Sequence, residues 1–368
     1  MPLLEGSPGP LPLLSIVVPA RNEERSIERC VRSLLAQQEL DFELIVVDDR
    51  SSDATPAILE RLAAEFPRLR VLRGEPLPEG WVGKPWALHQ GAALARGAWL
   101  LFTDADSTHA ARGAASALWF ALFTGADALS IATYQELGSF WERALLPSIL
   151  GMVFFASGSL GQINDPADVK HALANGQYLL VARDALDALG GHAALRGEIA
   201  EDLAFARRIK ADGRFRFILA GGEELARVRM YHSAGEIWQG FTKNVYVGAG
   251  GSLISLFGGT FYLLAVSALP PLLAARALAR RRYLEAAEAL ACSAAIVGAA
   301  SWAIRRTRLP RNLGLYQPVG TAFLAAITLN STFRVLSGRG VEWRGRRYSG
   351  KVATGQKARR TPEAKLKA

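Results

Sequence analysis

Two short apolar runs, Leu14 to Pro19 (LSIVVP) and Leu44 to Asp48 (LIVVD), are rich in β-branched residues and end in polar segments. Between them Ile27, Val31, Leu34 and Leu35 recur at helical spacing on one face, which predicts a strand, a helix and a second strand. The alternation continues with a helix over Ala57–Phe66, a strand at Arg70–Leu72, a helix over Pro85–Arg96 with proline in its first turn, and a strand at Ala98–Thr103. Repeated βα units predict a parallel sheet covered on both faces, with ligands gathered at the carboxyl ends of its strands.

The last third has a different pattern. Asn244–Ala275, Ala289–Ile304 and Asn312–Phe333 carry no charged residue over 32, 16 and 22 positions, where a membrane-spanning helix needs about 20. Arginines crowd both intervening loops: Arg276, Arg280, Arg281 and Arg282 in one, Arg305, Arg306, Arg308 and Arg311 in the other. Successive loops lie on opposite sides of a bilayer and the positive-inside rule allows only alternate ones to be cytoplasmic, so one segment is expected not to cross simply. The first, broken by Pro270-Pro271, is the best candidate for a hairpin or surface helix. Ala144–Asn164 is uncharged as well, but it holds Pro147 and several Gly and Ser residues. It reads as an interfacial or re-entrant segment, with a buried helix as the alternative.

Half of the residues are hydrophobic and 21% are charged, which excludes a disordered chain. Mean hydropathy is +0.13, between soluble and integral-membrane values. The net charge of +9 sits in one place: from Arg334 to Ala368 eleven basic residues face only Glu342 and Glu363. That tail points to a solvated end or to anionic lipid and gives no reason to expect nucleic acid as a partner. Cys30 and Cys292 alone exclude a disulfide framework, and the N-terminal residues show no secretory signal.

Candidate chemistry lies where the strands end. Asp48-Asp49 follows the second strand, and a carboxylate there can accept hydrogen bonds from a base or ribose, although an acidic turn with a capping role is equally compatible. Asp104-Ala105-Asp106 follows a later strand. Two carboxylates at i and i+2 can hold one divalent ion beside a diphosphate. Glu201-Asp202 leads an amphipathic helix with Leu203, Ala206 and Ile209 on one stripe and Arg207, Arg208 and Lys210 off it. Alone, such residues are merely favourable with the helix dipole.

Taken together, the motifs resemble a family 2 glycosyltransferase of the GT-A fold. They are Val18-Pro19-Ala20-Arg21-Asn22-Glu23, Val47-Asp48-Asp49-Arg50-Ser51-Ser52-Asp53, Gly83-Lys84-Pro85-Trp86, Asp104-Ala105-Asp106 and Glu201-Asp202. More narrowly, Gly80-Trp81-Val82-Gly83-Lys84, Phe140-Trp141-Glu142-Arg143, Asn164-Asp165-Pro166, Ala174-Asn175-Gly176-Gln177-Tyr178 and the run Glu236 to Asn244 resemble membrane-associated lipid glycosyltransferases of carotenoid and hopanoid pathways. The resemblance implies a nucleotide-diphosphate sugar donor near Pro19, Arg21, Glu23, Asp49, Lys84 and Asp104. It implies a Mg2+ or Mn2+ ion on Asp106 and Asp202 as catalytic base. Glu201, Trp238, Gln239, Phe241 and Lys243 fall on the acceptor side. His109 and His232 are possible further metal ligands, though a solvated or hydrogen-bonded histidine is the simpler expectation for each.

An inverting hexosyl transfer to a membrane lipid is therefore expected from an α/β, Rossmann-like GT-A catalytic domain over 12–245. A membrane domain of two to three segments over 246–334 and a basic tail over 335–368 follow, with the catalytic domain facing the cytoplasm. Processive synthases of the family carry a Q-x-x-R-W stretch; here Trp238-Gln239-Gly240-Phe241-Thr242-Lys243 has no Arg-Trp pair, which argues against polymerisation. Two alternatives remain. A polyprenyl-phosphate acceptor would need no base, against Glu201-Asp202, and a non-catalytic nucleotide-sugar-binding scaffold would not need Asp49, Asp106 and Asp202.

Overall fold

The computed structural model describes residues 9–248, 253–304, 309–337, 341–343 and 346–348, with Met1 and Leu3. Residues 349–368 of the basic tail and the loop arginines Arg305, Arg306 and Arg308 lie outside the described residues. The first half follows the pattern in the sequence: β1 (Leu14–Ala20), α1 (Ile27–Leu35), β2 (Phe42–Asp48), α2 (Thr55–Glu65), β3 (Leu69–Arg73), α3 (Gly83–Leu94) and β4 (Trp99–Thr103). Then come β5 (Ser107–His109), α4 (Gly113–Thr124), β6 (Ala128–Ala132), β7 (Tyr134–Gln135), α5 (Phe140–Ala156), α6 (Leu160–Asn164), β8 (Tyr178–Ala182), α7 (Arg183–Ala188), α8 (Glu201–Asp212), β9 (Phe217–Gly221) and β10 (Ala226–Val228).

Seven strands form one sheet in the order β3-β2-β1-β4-β8-β6-β9. All run parallel except β8, which lies antiparallel to both β4 and β6. Alternate side chains of the central strands enter two cores. Ile16 and Val18 pack with α1, α2 and α4, whereas Val17 and Leu100 pack with α3, α7 and α8. Burial on both faces explains why these strands read as continuous apolar runs. The reversed β8 has a functional consequence. Its register pairs Tyr178 with Thr103, so the chain entering β8 arrives at the edge where β4 leaves.

Beyond the sheet lie α9 (Ala234–Gly248), α10 (Leu253–Ala279), α11 (Tyr283–Ile304) and α12 (Gln317–Leu336). The segment 144–164 forms most of α5, with Pro147 inside the helix, followed by α6. Ala144, Leu145, Leu146 and Ile149 are buried against Tyr231, Ile237 and Phe241 from the α9 region and Leu324, Ala325 and Ile327 of α12. Phe140 and Trp141 at the start of α5 remain exposed.

Two sequence expectations are corrected. No hairpin forms at Pro270-Pro271; α10 continues through both prolines, and the chain turns instead before α11, at Arg280 to Arg282. Two helices in the described chain are long and apolar enough to cross a membrane, Phe257–Ala279 and Tyr283–Ile304, with 22% and 6% of their most apolar windows buried. The third uncharged stretch, α12, is not among them. Thr321, Thr328 and Thr332 return their hydroxyls to carbonyls one turn back, while Asn330 and Ser331 reach Thr242 of α9. Asn330 and Ser331 thus tie α12 to α9, while Leu324, Ala325 and Ile327 pack with α5. The second correction concerns Lys210, which lies off the apolar stripe of α8 in the sequence pattern and is nevertheless buried, donating to the carbonyls of Ile163 and Asp168. A buried ammonium is tolerable here because those carbonyls replace its water.

The α5–α12 contact depends on Gly320, where an added Cβ would meet Ser148 Cβ at 2.6 Å and the Ala144 carbonyl at 3.0 Å. Gly320→Leu should cost about 1–3 kcal/mol through overpacking. Thermal unfolding of the detergent-solubilised chain would measure it, and an unchanged midpoint would contradict this packing.

Candidate active site

The carboxyl ends of β1 and β2 meet at Ala20 and Asp48, which are paired in register. Pro19 lacks an N–H, but the pairing of β1 with β4 has already ended at Val17, so no ladder bond is lost there. The two loops beyond are laced together. Asn22 N donates to Ser51 Oγ and Ser52 N to Asn22 Oδ1, both at 2.9 Å, and Glu23 N donates to Thr55 Oγ1 at 2.8 Å. Asn22 and Arg50 adopt positive φ (54° and 57°), which lets the backbone turn sharply. Arg21 donates to the carbonyl of Asp49 at 2.5 Å, and the Asp49 carboxylate is on a buried residue. Arg21 and Glu23 thus share one laced double loop with Asp49, and Pro19 stands at the end of β1 that leads into it.

A second group forms at the neighbouring strand ends. Lys84 lies in the first turn of α3, Asp104 just beyond β4, Gly176 just before β8, and Glu201 and Asp202 open α8. Lys84 Nζ bridges Asp104 Oδ1 at 2.7 Å and Glu201 Oε1 at 2.8 Å and also donates to the Gly176 carbonyl at 3.4 Å. Asp202 Oδ2 accepts from Gly176 N and Oδ1 from Leu203 N, both at 2.8 Å. Position 176 is tightly enclosed. An added Cβ would stand 3.0 Å from Lys84 Nζ, 3.1 Å from Asp202 Oδ2 and 3.2 Å from Glu201 Oε1.

The electrostatics separate the two adjacent carboxyls. Burial opposes ionisation of Glu201, yet the Lys84 ammonium holds it below the usual carboxylate range. Burial and then the Glu201 charge push Asp202 up to about 6, against Lys84 and the two backbone N–H donors. Burial would lower Lys84, but Asp104 and Glu201 outweigh it and hold the ammonium well above the lysine range. Lys243, on α9, senses the charges of Glu201, Lys84, Asp104 and Asp202, and burial brings it down to about 8.

Asp106 stands two residues beyond Asp104, and its carbonyl accepts from Arg229 N at 3.4 Å. Arg229 in turn grips the fully buried Glu142 of α5 through two hydrogen bonds of 3.0 and 3.1 Å. Among the described residues no three His, Cys, Asp or Glu side chains gather as a metal-binding group. His109 is buried beneath the 104–106 turn, and His232 precedes α9 with its backbone N–H on Glu236. Trp238 stacks edge-on to Phe323 of α12 and Phe241 is buried beside Tyr231, while Gln239 is exposed. Trp81 and Trp86 pack against each other and His89. Local sequence assigns no role to Gly176, Gln177 or the Arg229–Glu142 pair, whose partners are far apart along the chain. Only Gly176's small size, in a stretch leading into an apolar strand, hinted at a crowded approach.

Residues 15–170 match the sequence model described as glycosyl transferase family 2. A beta-monoglucosyldiacylglycerol synthase of Trichormus variabilis is 28% identical over 337 residues, covering 84% of this chain and 68% of the relative. A 4,4'-diaponeurosporenoate glycosyltransferase of Staphylococcus aureus is 28% identical over 246 residues, covering 65% of this chain and 62% of its own. Among solved structures, a mannosyltransferase of Pyrobaculum calidifontis, in complex with GDP-Man and Mn2+, superposes with a TM-score of 0.52 at 20% identity, over 91% of this chain and 90% of that one. At that identity the likeness concerns the fold. Over residues 15–170 the chain is thus similar to family 2 glycosyl transferases, and its sheet and helices have the GT-A architecture.

Proposed function

We propose that this chain is an inverting, non-processive glycosyltransferase that moves a hexose from a nucleotide-diphosphate sugar to a hydroxyl of a membrane lipid. The observation that carries the reading is Asp202. It is held by two backbone N–H groups, set beside the Lys84 bridge, and shifted to about 6 by burial and by Glu201. A base with that affinity is ionised at neutral pH and still basic enough to draw a proton from an attacking hydroxyl. The lipid acceptor is supported by the two relatives named for lipid substrates and by the two exposed apolar helices. Absence of the Arg-Trp pair supports single transfers.

In this reading the double loop of Arg21, Glu23 and Asp49, with Pro19 leading into it, receives the nucleoside. Lys84 leaves part of its carboxylate bridge to meet the diphosphate, with Asp104 toward the ribose. The acceptor hydroxyl approaches from the α9 side, past Lys243, Trp238 and Gln239, whereas Phe241, which the resemblance puts on the acceptor side, is buried in the core between α5, α9 and α12. Asp202 takes its proton as the oxygen attacks the anomeric carbon and the bond to the diphosphate breaks, so one displacement inverts the centre. An α-linked donor gives a β product.

The donor set suits Mg2+ or Mn2+. Asp104 and Asp106 offer hard oxygens on one turn, and a small dication leaves its remaining positions to phosphate oxygens and water. Bound there, the ion would neutralise charge on the departing diphosphate. Residues 12–245 would form the catalytic unit, with α10 and α11 as a hairpin in the bilayer and the basic tail near anionic lipid. Two crossings return the chain to its starting side, which fits a catalytic domain and tail that both face the cytoplasm.

Asp202→Asn keeps an acceptor for Gly176 N–H but removes the base. Single-turnover transfer should fall about 10²–10⁴-fold while nucleotide binding by titration changes little. Near-normal transfer would move the acceptor to an ionised phosphate lipid. In the wild type, turnover should rise through about pH 6 and fall about tenfold per unit below it. Because the folded-state value lies above that of an unfolded aspartate, the protonated form favours folding and that contribution is lost as pH rises through about 6. Asp202→Asn should therefore raise the thermal midpoint at about pH 8 and leave it unchanged at about pH 4. EDTA should abolish transfer, added Mg2+ or Mn2+ should restore it, and Asp106→Ala should prevent the restoration; full activity in chelator would exclude the metal.

A further inference from the structure

Beneath the Asp104-Ala105-Asp106 turn lies a buried polar hub that the proposed chemistry does not use. His109 Nε2 is 3.1 Å from Thr103 Oγ1 and 2.9 Å from Ser107 Oγ, and these three residues are all buried. A proton inventory decides who donates. Thr103 spends its single hydroxyl proton on the Gln177 carbonyl at 2.7 Å, and Ser107 spends its own on the Asp104 carbonyl at 2.6 Å. Both oxygens can then only accept from the imidazole, so Nε2 carries the hydrogen and Nδ1 is bare. Consistently, Nδ1 has no hydrogen-bond partner among the described residues, and burial lowers the imidazole to about 3, keeping it neutral. Its Nε2 is occupied by two hydroxyls and is not presented to an ion above the turn.

The bonds radiating from this hub reach both halves of the site. The Asp104 carbonyl accepts from Ser107 Oγ, from Ser107 N at 3.2 Å and from Cys30 Sγ at 3.7 Å, which fixes the peptide between the two carboxylates. Thr103 holds the Gln177 carbonyl, one residue after the glycine whose N–H binds Asp202. The backbone of His109 is itself anchored, its N–H donating to Ser33 Oγ of α1 at 3.0 Å.

We infer that His109 is a positioning residue whose Nε2–H, shared by Thr103 and Ser107, sets the Asp104–Asp106 turn in register with the Gly176–Asp202 side of the site. The inference rests on the donor-site reading above for its functional consequence, but not for its structural one. Glutamine can place an amide N–H near the position of Nε2; phenylalanine fills the space without a donor.

The test compares wild type, His109→Gln and His109→Phe as full chains in detergent. Amide exchange is followed across the 103–109 segment, and Mn2+ binding is followed by electron paramagnetic resonance with UDP or GDP present. For His109→Phe the expected result is loss of exchange protection confined to 103–109 and 175–177 and about tenfold weaker Mn2+–nucleotide binding, as for loss of one buried hydrogen bond, with His109→Gln recovering both. Unchanged protection in that segment would overturn the inference, as would equal losses in the Gln and Phe variants. If His109→Phe does not fold, Ser107→Ala carries the same expectations, and wild-type protection at 103–109 in that variant would overturn it. Should the wild type bind neither nucleotide with Mn2+ while the turn still loosens selectively, the donor-site reading fails and the positioning role stands.

Discussion

One ammonium group between two carboxylates organises the site. Lys84 reaches from the first turn of α3 to Asp104 beyond β4 and to Glu201 at the head of α8, so three elements far apart in sequence meet at one nitrogen. Without it, Asp104, Glu201 and Asp202 would place three negative charges in a partly desolvated space, which would force one or more of them to remain protonated. With it, Glu201 stays ionised, and that charge together with burial raises Asp202 beside it. Two adjacent carboxyls thereby acquire different proton affinities, the separation that acid–base chemistry needs.

The reversed strand makes this meeting possible. A sheet of uniformly parallel strands would carry the chain away from the carboxyl edge after each crossover. Because β8 runs backwards, its entry segment lies at that edge, and Gly176 can offer its N–H to Asp202 and its carbonyl to Lys84. The small residue suits the cluster, since an added Cβ would press on the lysine and both acids at 3.0–3.2 Å.

A chain of polar contacts connects this edge to the apolar helices. Arg229 follows β10, hydrogen-bonds the Asp106 carbonyl through its backbone and clamps Glu142 of α5 through its guanidinium. The buried face of α5 then packs on α9 and α12. Breaking such a pair would leave a buried carboxylate uncompensated, so the turn bearing Asp106 and the helix bundle are held in a fixed relation.

Much of this was legible in the chain. The strand–helix alternation through Thr103 and the positions of Asp49, Asp104, Asp106 and Asp202 followed from local periodicity and from polar residues at strand ends, because both are short-range properties of the backbone. The uncharged stretches were visible for the same reason, but whether each faces lipid or protein depends on neighbours. Pro270-Pro271 suggested a break that the surrounding helix absorbed, and α12 turned Asn330 and Ser331 onto Thr242 of α9. Lys210 reads as a surface charge, yet carbonyl groups of α6 and of Asp168 just beyond it, distant in sequence, enclose its ammonium. Local sequence determined which segments form strands and helices and which acids stand at their ends. Tertiary packing alone decided which charges meet, which are buried, and therefore which carboxyl can act as a base, since desolvation and Coulomb energy depend on three-dimensional distance and not on separation along the chain.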